Sequence, residues 1–192
     1  MNQPNSYDNK NIFIQSLSYL KNPRSMVIAA MLTAIYIVLD QPGLSLHLGD
    51  VIKINFIFVP VMLSAMFYGP VPCTAVCVIG DILGVLITGK GVVPQLVLVE
   101  IVRGILMGII MFRRKPTLPR IVLGQSVATL FVNMCLNTAV LIWVGYLSAQ
   151  NVFASILWRV IKNLLALPIE IAVLYKLLDS LTKAMEKYKI KP

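Results

Sequence analysis

Apolar residues run through the chain in long blocks, at about 26–39, 54–68, 71–88, 92–112, 121–147 and 152–178. The breaks between blocks hold turn-forming residues: Gln41-Pro42-Gly43, Gly69-Pro70, Gly89-Lys90-Gly91, Lys115-Pro116 with Pro119, and Ser148 to Asn151. A helix crosses a bilayer with roughly 17–25 residues. Open sheets cannot span lipid, because their backbone groups would go unpaired there. The pattern therefore predicts an all-α membrane protein, a bundle of six transmembrane helices. The second block is short, which predicts a broken or tilted helix. No internal repeat or low-complexity segment interrupts the series.

Composition supports the same class. Of the 192 residues, 58% are hydrophobic and only 13% charged, with a mean hydropathy of +0.82. Soluble domains are about 45–50% apolar and about 25% charged. Too few polar residues are present to cover a water-exposed surface, so lipid must solvate much of the outside. The polar start, MNQPNSYDNK, predicts no cleaved leader, and the block from Met26 is expected to be a retained span. Within residues 1–24, a short amphipathic stretch from Ile12 to Leu20 is suited to the membrane surface. Cys73, Cys77 and Cys135 all fall in apolar blocks and are expected to be packing residues rather than a disulfide framework.

Charge sets the orientation. Of the 17 lysines and arginines, all but Lys53, Lys90, Arg103, Arg159 and Lys162 fall in three segments: the N-terminal segment, the connection at 113–120, and the C-terminal segment. Six crossings put those three on one side, and the positive-inside rule makes that side cytoplasmic. Both termini are thus expected in the cytoplasm. The expected organisation is a polar cytoplasmic segment at 1–24, a six-helix transmembrane domain at 25–182, and a basic cytoplasmic tail at 183–192. The net charge of +9 reflects this asymmetry. It suits anionic lipid heads or a cytoplasmic partner. The cations flank helices and form no aromatic-interleaved groove, so nucleic acid is not an expected partner.

Polar groups inside the blocks carry the functional signal, because ionisable side chains in hydrocarbon are costly. They are Lys53, Asp81, Glu100, Arg103, Arg159, Lys162 and Glu170, with Asn55, Asn133, Asn137, Thr138 and Asn163 as neutral partners. In the six-span topology all but Glu170 fall in the outer half of the membrane or near its middle. Asn133 and Asn137 are four apart, Glu100 and Arg103 three apart, and Arg159, Lys162 and Asn163 three and four apart, so each set shares a helical face. These positions predict a polar cavity opening outward, lined by the second to sixth spans. Lys53, Arg103, Arg159 and Lys162 exceed Asp81 and Glu100 by two charges, which favours an anionic ligand. The alternative is that pairs such as Glu100–Arg103 only neutralise each other and staple helices. Lys53 either lines the cavity or snorkels to the interface.

The chain lacks the pattern GxxxxGK[ST] that cradles ATP phosphates, the GxSxG elbow of serine hydrolases, and any second histidine beside His47. No catalysis, cofactor or bound metal is expected. Ala30 and Ala34 form a small-xxx-small pair that permits close helix approach in lipid, to another helix of this chain or to a partner.

The ordered set Lys53-Ile-Asn-Phe-Ile-Phe-Val-Pro60, Met66-Phe-Tyr-Gly-Pro70, Gly80-Asp-Ile-Leu-Gly84 and Val102-Arg-Gly-Ile-Leu-Met-Gly108 resembles the substrate-binding S components of energy-coupling factor (ECF) vitamin transporters, and more narrowly their folate family. Leu136-Asn-Thr138, Arg159-Val-Ile-Lys-Asn163 and Pro168-Ile-Glu170 extend the resemblance over residues 26–175. The resemblance implies a bacterial plasma-membrane protein that captures a vitamin from outside. It implies partners as well: a transmembrane coupling subunit, docked through Ala30 and Ala34, and two cytoplasmic ATPases that use the ATP. For a folate ligand, Arg103, Arg159 and Lys162 are candidates for carboxylate or amide contacts. Asp81, Asn133, Asn137 and Asn163 are candidates for reading the pterin, with Phe58 or Trp158 stacking on it. Ser64-Ala65-Met66 departs from the glycine-containing small residues usual before Phe-Tyr-Gly-Pro. The competing expectations are pantothenate or another small acidic vitamin as ligand, a stand-alone transporter, and a membrane enzyme, for which the chain offers no nucleophile–base pair.

Overall fold

The computed structural model describes residues 12–41, 46–48, 52–89, 91–114, 117–145 and 152–187, with side chains left undescribed at 46–48, 52–54, 152–155 and several positions from 181 on. A short helix, α1 (Ile12–Leu20), precedes six helical bodies. These are α2 (Pro23–Asp40), α3 (Phe58–Tyr68), α4 (Pro70–Ile87), α5 (Pro94–Met111), a continuous helix over Leu118–Trp143, and α8 (Val152–Lys187). The Leu118–Trp143 helix is α-helical at both ends (α6, Leu118–Ser126; α7, Thr138–Trp143) and π-helical over Val127–Asn137. Proline stands at the first or second position of α2, α4, α5 and α6. There its missing N–H costs nothing and its fixed φ favours the helix.

Four of the bodies are long and apolar enough to cross a membrane: Pro23–Asp40, Pro70–Ile87, Pro94–Met111 and Leu118–Trp143. Among the described residues two expected spans are not in this set, the second (α3) and the sixth (α8). The second falls short. It yields only the 11 residues of α3, about 16 Å of helix and roughly half the hydrocarbon thickness. The chain before α3 forms an antiparallel hairpin instead, β1 (Leu46–Leu48) with β2 (Ile52–Ile54), which pairs Leu46 with Ile54 and His47 with Lys53. The apolar pattern predicted no strand here. α8 runs without a break through the expected boundary at 182/183. At 36 residues, about 54 Å, it exceeds any bilayer crossing.

Glycine pairs set the tightest helix contacts. A Cβ at Gly104 or Gly108 of α5 would run into the backbone of Thr74 or Pro70 on α4. A Cβ at Gly80 or Gly84 of α4 would strike the Tyr36 ring or the Asp40 carboxylate on α2. Both pairs are small-xxx-small motifs used inside the bundle. The core they enclose includes Tyr36, Met62, Cys73, Cys77, Met107, Met111, Ile121 and Leu174. Cys73 and Cys77 are buried, as expected of packing residues, whereas Cys135 is exposed.

The outer surface is apolar along α2 (Val27, Met31, Ile35, Val38), on the π stretch (Leu130, Phe131) and on α8 (Leu157, Ile161, Leu164, Leu165). Continuous exposed apolar faces of this kind suit lipid rather than water. At one end, α1 is pinned to the corner between α3 and α4. Gly69 turns that corner at φ 82°. The Ser16 hydroxyl donates to the Tyr68 carbonyl at 2.8 Å and accepts from the Val71 N–H at 2.9 Å. It thereby satisfies two backbone groups that the helix break leaves without helical partners.

Candidate functional site

A cavity of about 510 Å³ lies between the start of α3, α5, the Leu118–Trp143 helix and α8. Sites for small molecules run from about 300 to 1,000 Å³. Asn55, Ile57, Phe58 and Val61 line one wall, and Arg103 and Met107 line a second. The Leu118–Trp143 helix contributes Gln125, Ala128, Asn133 and Asn137. The π register widens the helical turn, and such departures recur at functional sites. α8 supplies Trp158, Arg159, Lys162, Asn163, Ala166 and Glu170, a single stripe repeating every three or four residues.

Arg103 holds two elements together. Its Nη1 lies 2.9–3.0 Å from the Glu100 carboxylate one turn earlier on α5, and its Nη2 donates to Asn133 Oδ1 on the π stretch. The two side chains of the ion pair are only 14% and 9% exposed. Arg103 therefore reaches the cavity with its charge already balanced by Glu100. Arg159, by contrast, has no hydrogen bond or ion pair among the described residues. A cavity cation with no described acidic partner favours an anion. At the other end of the stripe, Glu170 accepts from Gln125 Nε2 at 2.8 Å and from Thr129 Oγ1 at 3.4 Å, both on Oε2.

Of the residues singled out from sequence, Asn55, Phe58, Arg103, Asn133, Asn137, Trp158, Arg159, Lys162 and Asn163 share this one cavity. Glu100 stands behind the wall as the partner of Arg103. Asp81 does not line the cavity. It sits on α4, whose glycine face packs on α2 and which lies against α5 on its other side, so the third span contributes nothing to the lining. The side chain of Lys53 lies outside the described residues. Gln125 was missed. Glu170 was noticed as an intramembrane charge but not assigned to the site. The repeat Asn163, Ala166, Glu170 places it on the cavity stripe and was the available signal.

Ala30 and Ala34 are both exposed on α2 among large exposed apolar residues. They are not used in packing within the bundle, unlike the two glycine pairs. The described residues hold no cluster of three or more His, Cys, Asp or Glu that could bind a metal.

Residues 24–178 match the family described as ECF transporter, substrate-specific component. The chain is similar to a folate transporter of Clostridium novyi (strain NT), with 31% identity over 135 residues, 68% of this chain and 77% of that protein. It is also similar to a folate transporter of Leuconostoc mesenteroides, with 28% identity over 162 residues, 82% of this chain and 85% of that one. Among solved structures, a crystal structure of FolT bound with folic acid has the same fold. The TM-score is 0.70 at 24% identity, over 83% of this chain and 95% of that chain. These relatives are transporter components and not enzymes, and the chain belongs to the substrate-specific component family of ECF transporters.

Proposed function

We propose that this chain captures folate, or a closely related anionic vitamin, at the outer face of a bacterial plasma membrane and hands it to an ATP-driven importer. The observation that carries the reading is the composition of the cavity. Its α8 wall places Arg159 and Lys162 beside Trp158 and Asn163, which suits a ligand that is both flat and acidic. Two relatives are named as folate transporters, which gives the flat acid its name.

The six helical bodies after α1 cross the membrane, with both termini in the cytoplasm. α3 and the hairpin before it share the second crossing, with the second strand lying against α8 rather than as an open sheet in lipid. Arg159 and Lys162 take carboxylates, Phe58 and Trp158 stack on the rings, and Asn133, Asn137 and Asn163 satisfy polar edges. Energy comes from partners: a membrane coupling subunit, seated on the exposed Ala30–Ala34 face of α2, and two cytoplasmic ATPases. The supporting contrast is that the other small-residue pairs are already occupied within the bundle.

The test is uptake of labelled folate by cells that lack other folate carriers and contain the coupling subunit and ATPases. Adding this chain should confer uptake that excess unlabelled folate abolishes. Uptake competed by pantothenate and not by folate would assign the role to a different vitamin.

A further inference from the structure

The inner end of the cavity is built differently from its outer end. Gln125 is 4% exposed, lines the cavity, and spends its Nε2 on Glu170. Its own Oε1 is buried without a hydrogen-bond partner. A buried amide oxygen left unpaired is costly, and native structures rarely tolerate it without a reason. Thr129 also gives its proton to Glu170, on the same oxygen. Both donors described at Glu170 thus go to its Oε2, which leaves Gln125 Oε1 and Glu170 Oε1 as unspent acceptors.

The opposite end carries the cations, together with asparagines, among them Asn55, whose Oδ1 is also buried without a partner. Arg159 and Lys162 can only donate. On α8, Lys162 and Glu170 are separated by about 12 Å of helix axis, at 1.5 Å per residue. The antiparallel partner follows the same order, with Gln125 at the acceptor end and Asn133 nearer the cations. The cavity is polarised along its length.

We propose that Gln125 Oε1 and the Glu170 carboxylate together read a fork of two adjacent N–H donors, an amidine-like or 2-amino-pyrimidinone edge, at the head of the ligand. The inference rests on the folate reading. A pteridine head offers such an edge in its 2-amino group and neighbouring ring N–H, and the acidic tail then points to Arg159 and Lys162. The ligand enters head first. Glu170 and Gln125 are specificity-determining residues for the head, and Arg159 and Lys162 serve the tail.

The experiment compares three ligands on the full chain purified in detergent: folic acid, its 2-desamino analogue, and p-aminobenzoylglutamate, which is the tail alone. Wild type should bind folic acid about 10–100-fold more tightly than the 2-desamino analogue, the usual penalty for leaving a buried acceptor unpaired. Gln125→Met and Glu170→Gln should shrink that ratio toward one while the tail fragment keeps its affinity, which also shows that the variants are folded. Arg159→Gln should weaken folic acid and the tail fragment together. Failure of wild type to bind folic acid at all would overturn the folate reading and this inference with it. If wild type binds folic acid but does not distinguish the desamino analogue, the acceptor pair alone is overturned. The acceptor pair is likewise overturned if Glu170→Gln weakens folic acid and the tail fragment by the same factor.

Discussion

Replacing Arg103 with methionine keeps most of the side chain's length and removes its charge. Glu100 would then be a buried carboxylate without its counter-ion, since the 2.9 Å contact to Arg103 is its only described ion pair. Asn133 would lose its charged donor at the same time. Breaking a buried pair by deleting one partner costs about 3–5 kcal/mol, whereas replacing both partners with apolar residues of similar size is often neutral. Arg103→Met alone should therefore destabilise the protein by about 3–5 kcal/mol. At about 2–4 °C per kcal/mol for a chain of this size, the melting temperature should fall by about 6–20 °C. The double variant Glu100→Met/Arg103→Met should recover most of that loss. The assay is thermal unfolding of the detergent-purified protein without ligand, followed by intrinsic fluorescence. Both variants should still bind ligand more weakly than the parent, because Asn133 is no longer held at the wall. A single variant that melts with the parent would refute the claim that Arg103 is a structural counter-ion. A double variant as unstable as the single one would refute the proposed cause.

Ala30→Leu/Ala34→Leu should leave folate affinity in detergent within about twofold and abolish uptake in cells that contain the ATPase module, because large side chains prevent close helix approach. Gly108→Ala should destabilise the bundle by about 1–3 kcal/mol, measured as a lower melting temperature, since its Cβ would meet the Pro70 backbone on α4. Thr117→Cys, in a background where the exposed Cys135 is replaced by serine, should resist a membrane-impermeant maleimide in intact cells and react after permeabilisation. Labelling in intact cells would overturn the six-crossing topology. Ser16→Ala should cost about 1–3 kcal/mol of stability by leaving the Tyr68 carbonyl and Val71 N–H unpaired at the α3–α4 corner, again read as a shift in melting temperature.

The helices were legible because lipid imposes a coarse rule: long apolar blocks punctuated by Pro and Gly become helices that start and stop there. Gly69 with Pro70, Gly89, and Pro119 mark ends that the structure reproduces to within a few residues. The hairpin was not legible, because Leu46-His47-Leu48 and Ile52-Lys53-Ile54 are too short to show alternation above the surrounding apolar background. The cavity-facing stripe of α8 was legible because Arg159, Lys162 and Asn163 repeat at helical spacing. Asp81 was expected in the cavity lining and does not belong to it, for a different reason. Depth in the membrane follows from sequence position, but the direction a helix faces follows from packing. On α4 that is decided by Gly80 against Tyr36 and Gly84 against Asp40, contacts on another helix that spacing alone does not reveal. The same limit hid Gln125, a lone neutral amide whose meaning comes only from Glu170 across the cavity.

Capture of folate by this chain alone is tested most directly by calorimetric titration of the purified protein with folic acid, in the absence of nucleotide and of any partner protein. We expect saturable binding at one site per chain, unchanged by ATP, and weakened on losing Arg159 but not on altering Ala30 and Ala34. Absence of saturable binding by a folded protein, or binding that requires ATP or the partner subunits, would contradict the proposed role.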